Sequence, residues 1–130
     1  YYLFNFLSIT PYHYTYLNVL NGKSENRYKK FENDYWAISL GELIKNVNFK
    51  TDKVIKFGTC GFTDETPKHH LKKRPDLSYI FVPVKEADYV IMTNRVSRFH
   101  GVRNCFDIFE GNDIATVKRN GLILSVIRKF

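Results

Sequence analysis

At 130 residues the chain is long enough for one domain with a real core and too short for two ordinary ones. A hydrophobic fraction of 44% and a charged fraction of 25% are those of a folded globular protein, which excludes disordered and collagen-like classes. Twenty basic against 13 acidic residues leave a net charge of +7, compatible with a polyanionic neighbour (nucleic acid, acidic headgroups or lipid phosphate) and equally with a solvated surface.

Residues 1–9 are apolar and aromatic, Pro11 breaks the run, and Tyr12, Tyr14 and Tyr16 then alternate with His13 and Thr15. Such a segment is too short to cross a bilayer. It reads either as the last turns of a spanning helix, with tyrosines at the interface, or as an amphipathic segment packed on the domain's own core. No signal peptide and no long apolar span is visible, and a first residue other than Met suggests a fragment of something longer. Residues 21–30, NGKSENRYKK, read as an exposed loop.

The stretch 31–47, FENDYWAISLGELIKNV, organises the rest. Ser39 with Glu42 three residues later has the form of a capping box, and Ile38 with Leu43 the spacing of a hydrophobic staple. Leu40, Leu43, Ile44 and Val47 form one apolar stripe suited to lie on a sheet. Asp34, Tyr35 and Trp36, the last being the only tryptophan, precede that helix and read first as a structural anchor. Val54, Ile55, Lys56 and Phe57 make a buried strand ending at Gly58. Thr66-Pro67 then supplies the cap and first position of a short helix that must stop before Pro75. Residues 79–82 form the next strand, with Pro83 closing it or marking an edge, and residues 88–93 a third. A strand, a crossover helix and a strand imply a parallel pair. Residues 94–111 are irregular. Asn120-Gly121 favours the type I′ turn of a two-residue hairpin between residues 114–119 and 122–128. Leu122, Leu124, Val126 and Phe130 share one parity and Ile123 and Ile127 the other, so the last strand is covered on both faces. The expected fold is α/β: a small mixed sheet of about five strands with two helices and a C-terminal β-hairpin.

No constellation signals catalysis. His69 and His70 point about 100° apart on a helix and do not share a metal, while His13 and His100 are lone loop histidines. Gly58 and Gly61 have part of the spacing of a phosphate loop without its Gly-rich fingerprint or Lys-Ser/Thr ending. No Gly-x-Ser-x-Gly elbow occurs, and the spacing of Glu65, Asp76, Glu86, Asp107, Glu110 and Asp113 assigns no acid or base. The basic residues divide into KHHLKKR and the set Arg95, Arg98 and Arg103; either can hold phosphate by charge-assisted hydrogen bonds. Aromatics are not interleaved with basic residues on one strand, which counts against nucleic acid. Cys60 and Cys105, the only cysteines, lack CxxC spacing; they form either one disulfide in an oxidising compartment or two small buried hydrophobes.

The run Pro11-Tyr12-His13-Tyr14-Thr15-Tyr16-Leu17-Asn18, then Asn21-Gly22, then Phe31-Glu32-Asn33-Asp34-Tyr35-Trp36 leading into Ser39 and Glu42, resembles the segment after the last membrane span of certain membrane glycosyltransferases. These are the multi-span enzymes related to dolichyl-phosphate-mannose–protein mannosyltransferases and aminoarabinose transferases. The closing VKRNGLILSVIRK resembles the hairpin that ends their soluble tails, and the middle of the chain matches mainly in element order. The resemblance implies that residues 1–18 are the end of the last span and an interfacial segment, and that residues 19–130 are one soluble extracytoplasmic domain. It implies transfer of sugar from a polyprenyl-phosphate donor by the whole enzyme and would permit a Cys60–Cys105 disulfide. The family's catalytic carboxylate lies near the start of the full protein, so this chain inherits no catalytic residue, cofactor or metal. Asp34, Tyr35 and Trp36 match the family's motif, with docking onto the membrane domain of the same polypeptide as the implied role. Arg95, Arg98 and Arg103 become candidate contacts to lipid or donor phosphate. The alternative from another class is a free-standing basic module that binds nucleic acid or anionic membrane.

Overall fold

The structure, a computed structural model, describes residues 2–8, 10, 34, 36–49, 51, 53–98 and 101–130. The tyrosine-rich run from Pro11 to Asn18, Asn21-Gly22, Tyr35, His13 and His100 lie outside the described residues.

In chain order the elements are helix α1 (Tyr2–Ser8), helix α2 (Leu40–Asn46), strand β1 (Ile55–Cys60), helix α3 (Glu65–Leu71), strands β2 (Tyr79–Phe81) and β3 (Tyr89–Thr93), the two-residue strands β4 (Val96–Ser97) and β5 (Arg103–Asn104), and the long strands β6 (Asn112–Arg119) and β7 (Leu122–Lys129). Five strands form one mixed sheet in the order β2-β1-β3-β7-β6, and β4 pairs with β5 beside it. Strand β1 is parallel to both β2 and β3, whereas β7 is antiparallel to β3 and to β6. The α/β sheet with a C-terminal hairpin is therefore the fold expected from the sequence.

Alternation along the strands sorts the core into two layers. Ile55 and Phe57 of β1, Ile91 of β3 and Ile127 of β7 meet Leu40, Leu43 and Ile44 of α2, Val47 just after it, and Leu71 of α3. Phe49 inserts edge-on between the rings of Phe57 and Tyr89, with centroids 5.4 and 5.2 Å away. On the opposite face Cys60, Val90, Met92 and Val126 are covered by Cys105 and Phe106 of a 3₁₀ turn (Cys105–Asp107). Residues 105–109, at the end of a stretch that lacks any sustained periodicity, thus cover that second layer.

Several local expectations are corrected. Ser39 makes no capping bond and Glu42 does not reach back to it; Glu42 pairs with Arg119 at 2.5 Å instead. The reason is tertiary: the Ser39 hydroxyl is drawn to Asp34 and to Ser125, 2.6 Å away. Ile38 is exposed, so no staple with Leu43 forms. Strand β1 does not end at Gly58 but continues to Cys60. Gly58 is needed within it because a Cβ there would lie 3.0 Å from the Val84 backbone, where the β2–β3 connection crosses β1. Helix α3 begins at Glu65 with Asp64 as its cap residue, two residues earlier than the Thr66-Pro67 start; it ends at Leu71, before Pro75.

Strand β7 is covered on both faces, but its parity breaks. Val117 pairs with Ser125 and Lys118 with Ile123, which leaves Leu124 as an extra residue in a bulge. Leu122 and Leu124 face the helices together with Ile127, while Ile123 and Val126 face the other layer. The turn itself is as expected: Asn120 and Gly121 have φ of 49° and 76°, both positive as type I′ requires.

Candidate functional site

Strand directions decide where a site can form. Because β1 and β3 are parallel, Cys60 and Thr93 emerge at the same end of the sheet. Thr93 pairs with Ser125, so the β6–β7 turn lies at that end too, as does the start of α2, tied on through Ser39 and Ser125. The carboxyl end of parallel strands is where open α/β sheets usually place ligands.

A groove of about 1020 Å³ opens there. Its walls come from Trp36 and Ala37, from the loop after β1 with Thr66 at the start of α3, and from the segment that includes Arg95, Arg98 and Val102. Trp36 reaches this position because of Asp34. That carboxylate is fully buried and accepts from the backbone N–H groups of Ile38 (3.0 Å) and Ser39 (3.3 Å) and from the Ser39 hydroxyl. With the Ser39 proton spent on the carboxylate, the Ser125 hydroxyl is the donor in the Ser39–Ser125 contact. Ala37 N–H donates to the Asp34 carbonyl, and Ala37 sits at φ 54°, a left-handed conformation that costs about 1 kcal/mol for a residue with a Cβ. Its result is a tight loop that leaves Trp36 74% exposed over the groove.

The opposite wall is held by the disulfide and by Arg95. Cys60 and Cys105 are joined, with Cα atoms 5.7 Å apart, so the end of β1 is stapled to the covering segment. Arg95 Nη1 donates to the Gly61 carbonyl at 2.9 Å. Gly61 has φ 97°, and a Cβ there would come within 2.8 Å of Thr93 Oγ1 and 3.1 Å of Arg95 Cβ, so this corner admits only glycine. Thr59 donates to Asp64 at 2.8 Å and steadies the start of α3 below the groove. Arg98 is exposed on the rim, and Val102 is exposed at φ 55°.

The structure therefore brings together Trp36, Arg95 and Arg98, which lie far apart in sequence. Arg103 is not a groove residue: it stands on β5 opposite Ser97, and its guanidinium donates to the Asp107 carbonyl. Asp34 is beneath the surface and builds the loop. Phe62, Thr63, Thr66 and Val102 line the groove without having been singled out from sequence; the available signal was that a loop directly after a parallel strand faces the ligand end of the sheet.

A second, smaller cleft lies at the other side of α2, lined by Gly41, Lys45, His70 and Lys73 among others. The His70 ring rests on Gly41, where a Cβ would be 3.0 Å from Cε1. Burial, and then the neighbouring His69 and Lys73, hold the His70 imidazole below its ordinary value. Arg74 closes this region by donating to the Ile44 and Val47 carbonyls at 2.7 and 3.0 Å, capping the end of α2, while Asp76 grips its other nitrogens. Asp76 is correspondingly held below the usual carboxylate value by its hydrogen bonds to Arg74. Among the described residues no group of three or more His, Cys, Asp or Glu side chains is placed to hold a metal ion.

Comparison with protein-family models, with curated proteins and with solved structures returned no match to this chain.

Proposed function

We propose that this chain is the extracytoplasmic C-terminal domain of a membrane glycosyltransferase that uses a polyprenyl-phosphate sugar, and that it serves that enzyme without catalysing transfer itself. The observation that carries this reading is the groove in which Trp36 of the Asp34-Tyr35-Trp36 segment meets Arg95 and Arg98 at the ligand end of the sheet. An aromatic ring beside guanidinium groups suits a sugar or lipid phosphate at a membrane surface. The covalent Cys60–Cys105 pair supports an oxidising, extracytoplasmic setting. Asp34 is the positioning residue of the set, since it acts through the loop that carries Trp36. In the alternative, a free-standing basic module, the same +7 charge would serve nucleic acid or an anionic membrane.

Two measurements separate these readings. The coding frame upstream of Tyr1 should encode many apolar spans; a start codon immediately before Tyr1 would remove the transferase reading and put the basic module first. In the whole enzyme, the Arg95→Glu and Arg98→Glu variants should raise the donor concentration needed for half-maximal rate about tenfold or more, because charge-assisted phosphate contacts are each worth about 1.5–3 kcal/mol. Unchanged donor kinetics would take both arginines out of the site.

A further inference from the structure

The end of the sheet that bears the groove also carries exposed apolar side chains from three separate segments. Trp36 and Val102 stand on the groove walls, the latter 73% exposed. Helix α1 presents Leu3, Phe4 and Leu7, all strongly exposed. Arg119, beside the β6–β7 turn, donates to the Thr10 carbonyl at 3.4 Å and to Glu42 in the first turn of α2, so the end of α1 reaches this same end of the domain. Trp36 and Val102 share the groove and α1 ends nearby, and exposed apolar side chains of this size mark a contact surface.

Two guanidinium groups stand among the side chains that line the groove. Arg98 is exposed on the rim and Arg95 lines the wall. Among the described carboxylates nearby, Glu42 is paired with Arg119 and Glu65 with Lys68, Asp34 is buried beneath the loop, and Asp64 accepts from Thr59. Aromatic and aliphatic tips beside an exposed arginine match the boundary between anionic headgroups and acyl chains.

We propose that this end of the domain seats on an anionic phospholipid bilayer, with Trp36, Val102 and the exposed face of α1 entering the headgroup boundary and Arg98 meeting lipid phosphate. The +7 charge of the chain selects an anionic over a neutral surface. The inference rests on the exposed chemistry of this chain and not on the transferase reading, which is tested by the coding frame and by donor kinetics.

Trp36 is the only tryptophan, so its emission reports on this face directly. The chain is titrated at low salt with vesicles of phosphatidylcholine alone and of phosphatidylcholine with phosphatidylglycerol. The anionic vesicles should move the emission to shorter wavelength, and brominated acyl chains should quench it. Arg98→Ala should weaken partitioning about fivefold, the worth of one basic residue near an anionic surface. Val102→Asp should abolish the shift while the far-ultraviolet dichroism stays unchanged. No co-sedimentation with anionic vesicles overturns the proposal. So does co-sedimentation with neither shift nor quenching, which means another face binds. An equal shift with free glycerol phosphate, or a shift with single-stranded oligonucleotide and none with vesicles, also overturns it.

Discussion

At the residue scale Asp34 carries the greatest structural consequence. A fully buried carboxylate is costly unless its oxygens are satisfied, and here two backbone N–H groups and the Ser39 hydroxyl satisfy them. Removing it strands those donors and frees Ala37 to leave its left-handed conformation. Asp34→Ala should therefore destabilise the domain by about 3 kcal/mol, read as a lower urea midpoint with the slope unchanged. It should also alter Trp36 emission before global unfolding, because the loop holding the ring depends on that carboxylate. Loss of stability with native-like Trp36 emission throughout would show that the loop is held by something else.

At the element scale the fold depends on joining a regular sheet to an irregular cover. The described residues of the segment 94–109 contribute two-residue strands and a 3₁₀ turn, so few ladder bonds hold them down. The Cys60–Cys105 bond, spanning a sequence separation of 45, and the Asn104 amide donating to Asn94 at 2.7 Å supply what pairing does not. A loop of that size implies about 4 kcal/mol from restricting the unfolded chain, with measured values commonly about 2–4. The Cys60→Ala/Cys105→Ala pair should lower stability by that amount in chemical denaturation. Hydrogen exchange should quicken in residues 94–109 before it does in β3 and β7, since both of those strands remain fully paired within the sheet. Uniform quickening across the sheet would mean that the bond stabilises the whole domain and not its cover.

At the scale of the whole molecule the strand directions gather the groove, the start of α2 and the end of α1 at one pole, and leave α3 and the His70 cleft on the helical face. That cleft gives the domain an acid-sensitive point. The folded state holds the His70 imidazole below the unfolded value of about 6.5, so the unfolded chain binds the extra proton more readily as pH falls. Stability is therefore fully present above about pH 6.5 and declines as the pH falls below it, levelling once the pH is below the folded-state value. His70→Gln should flatten the decline between pH 7 and pH 5 in denaturation midpoints. An identical pH slope in the variant would assign the effect to other groups.

Much of this was legible in the linear sequence because it is local. The stripe Leu40, Leu43, Ile44 and Val47, the strand around Phe57, the stop before Pro75 and the Asn120-Gly121 turn each follow from periodicity or from the backbone preferences of a few neighbouring residues. The capping box failed because Ser39 and Glu42 found better partners in Ser125 and Arg119, residues that only the folded chain brings near. Parity along β7 failed because a single bulged residue, Leu124, reverses which side chains face the helices. The groove was invisible for the same reason: Trp36, Gly61, Arg95 and Val102 share a surface only because parallel β1 and β3 end together. Short-range sterics and hydrophobic spacing thus determined the elements and the fold class, whereas strand order and direction, set by burial of the whole core, decided which side chains meet.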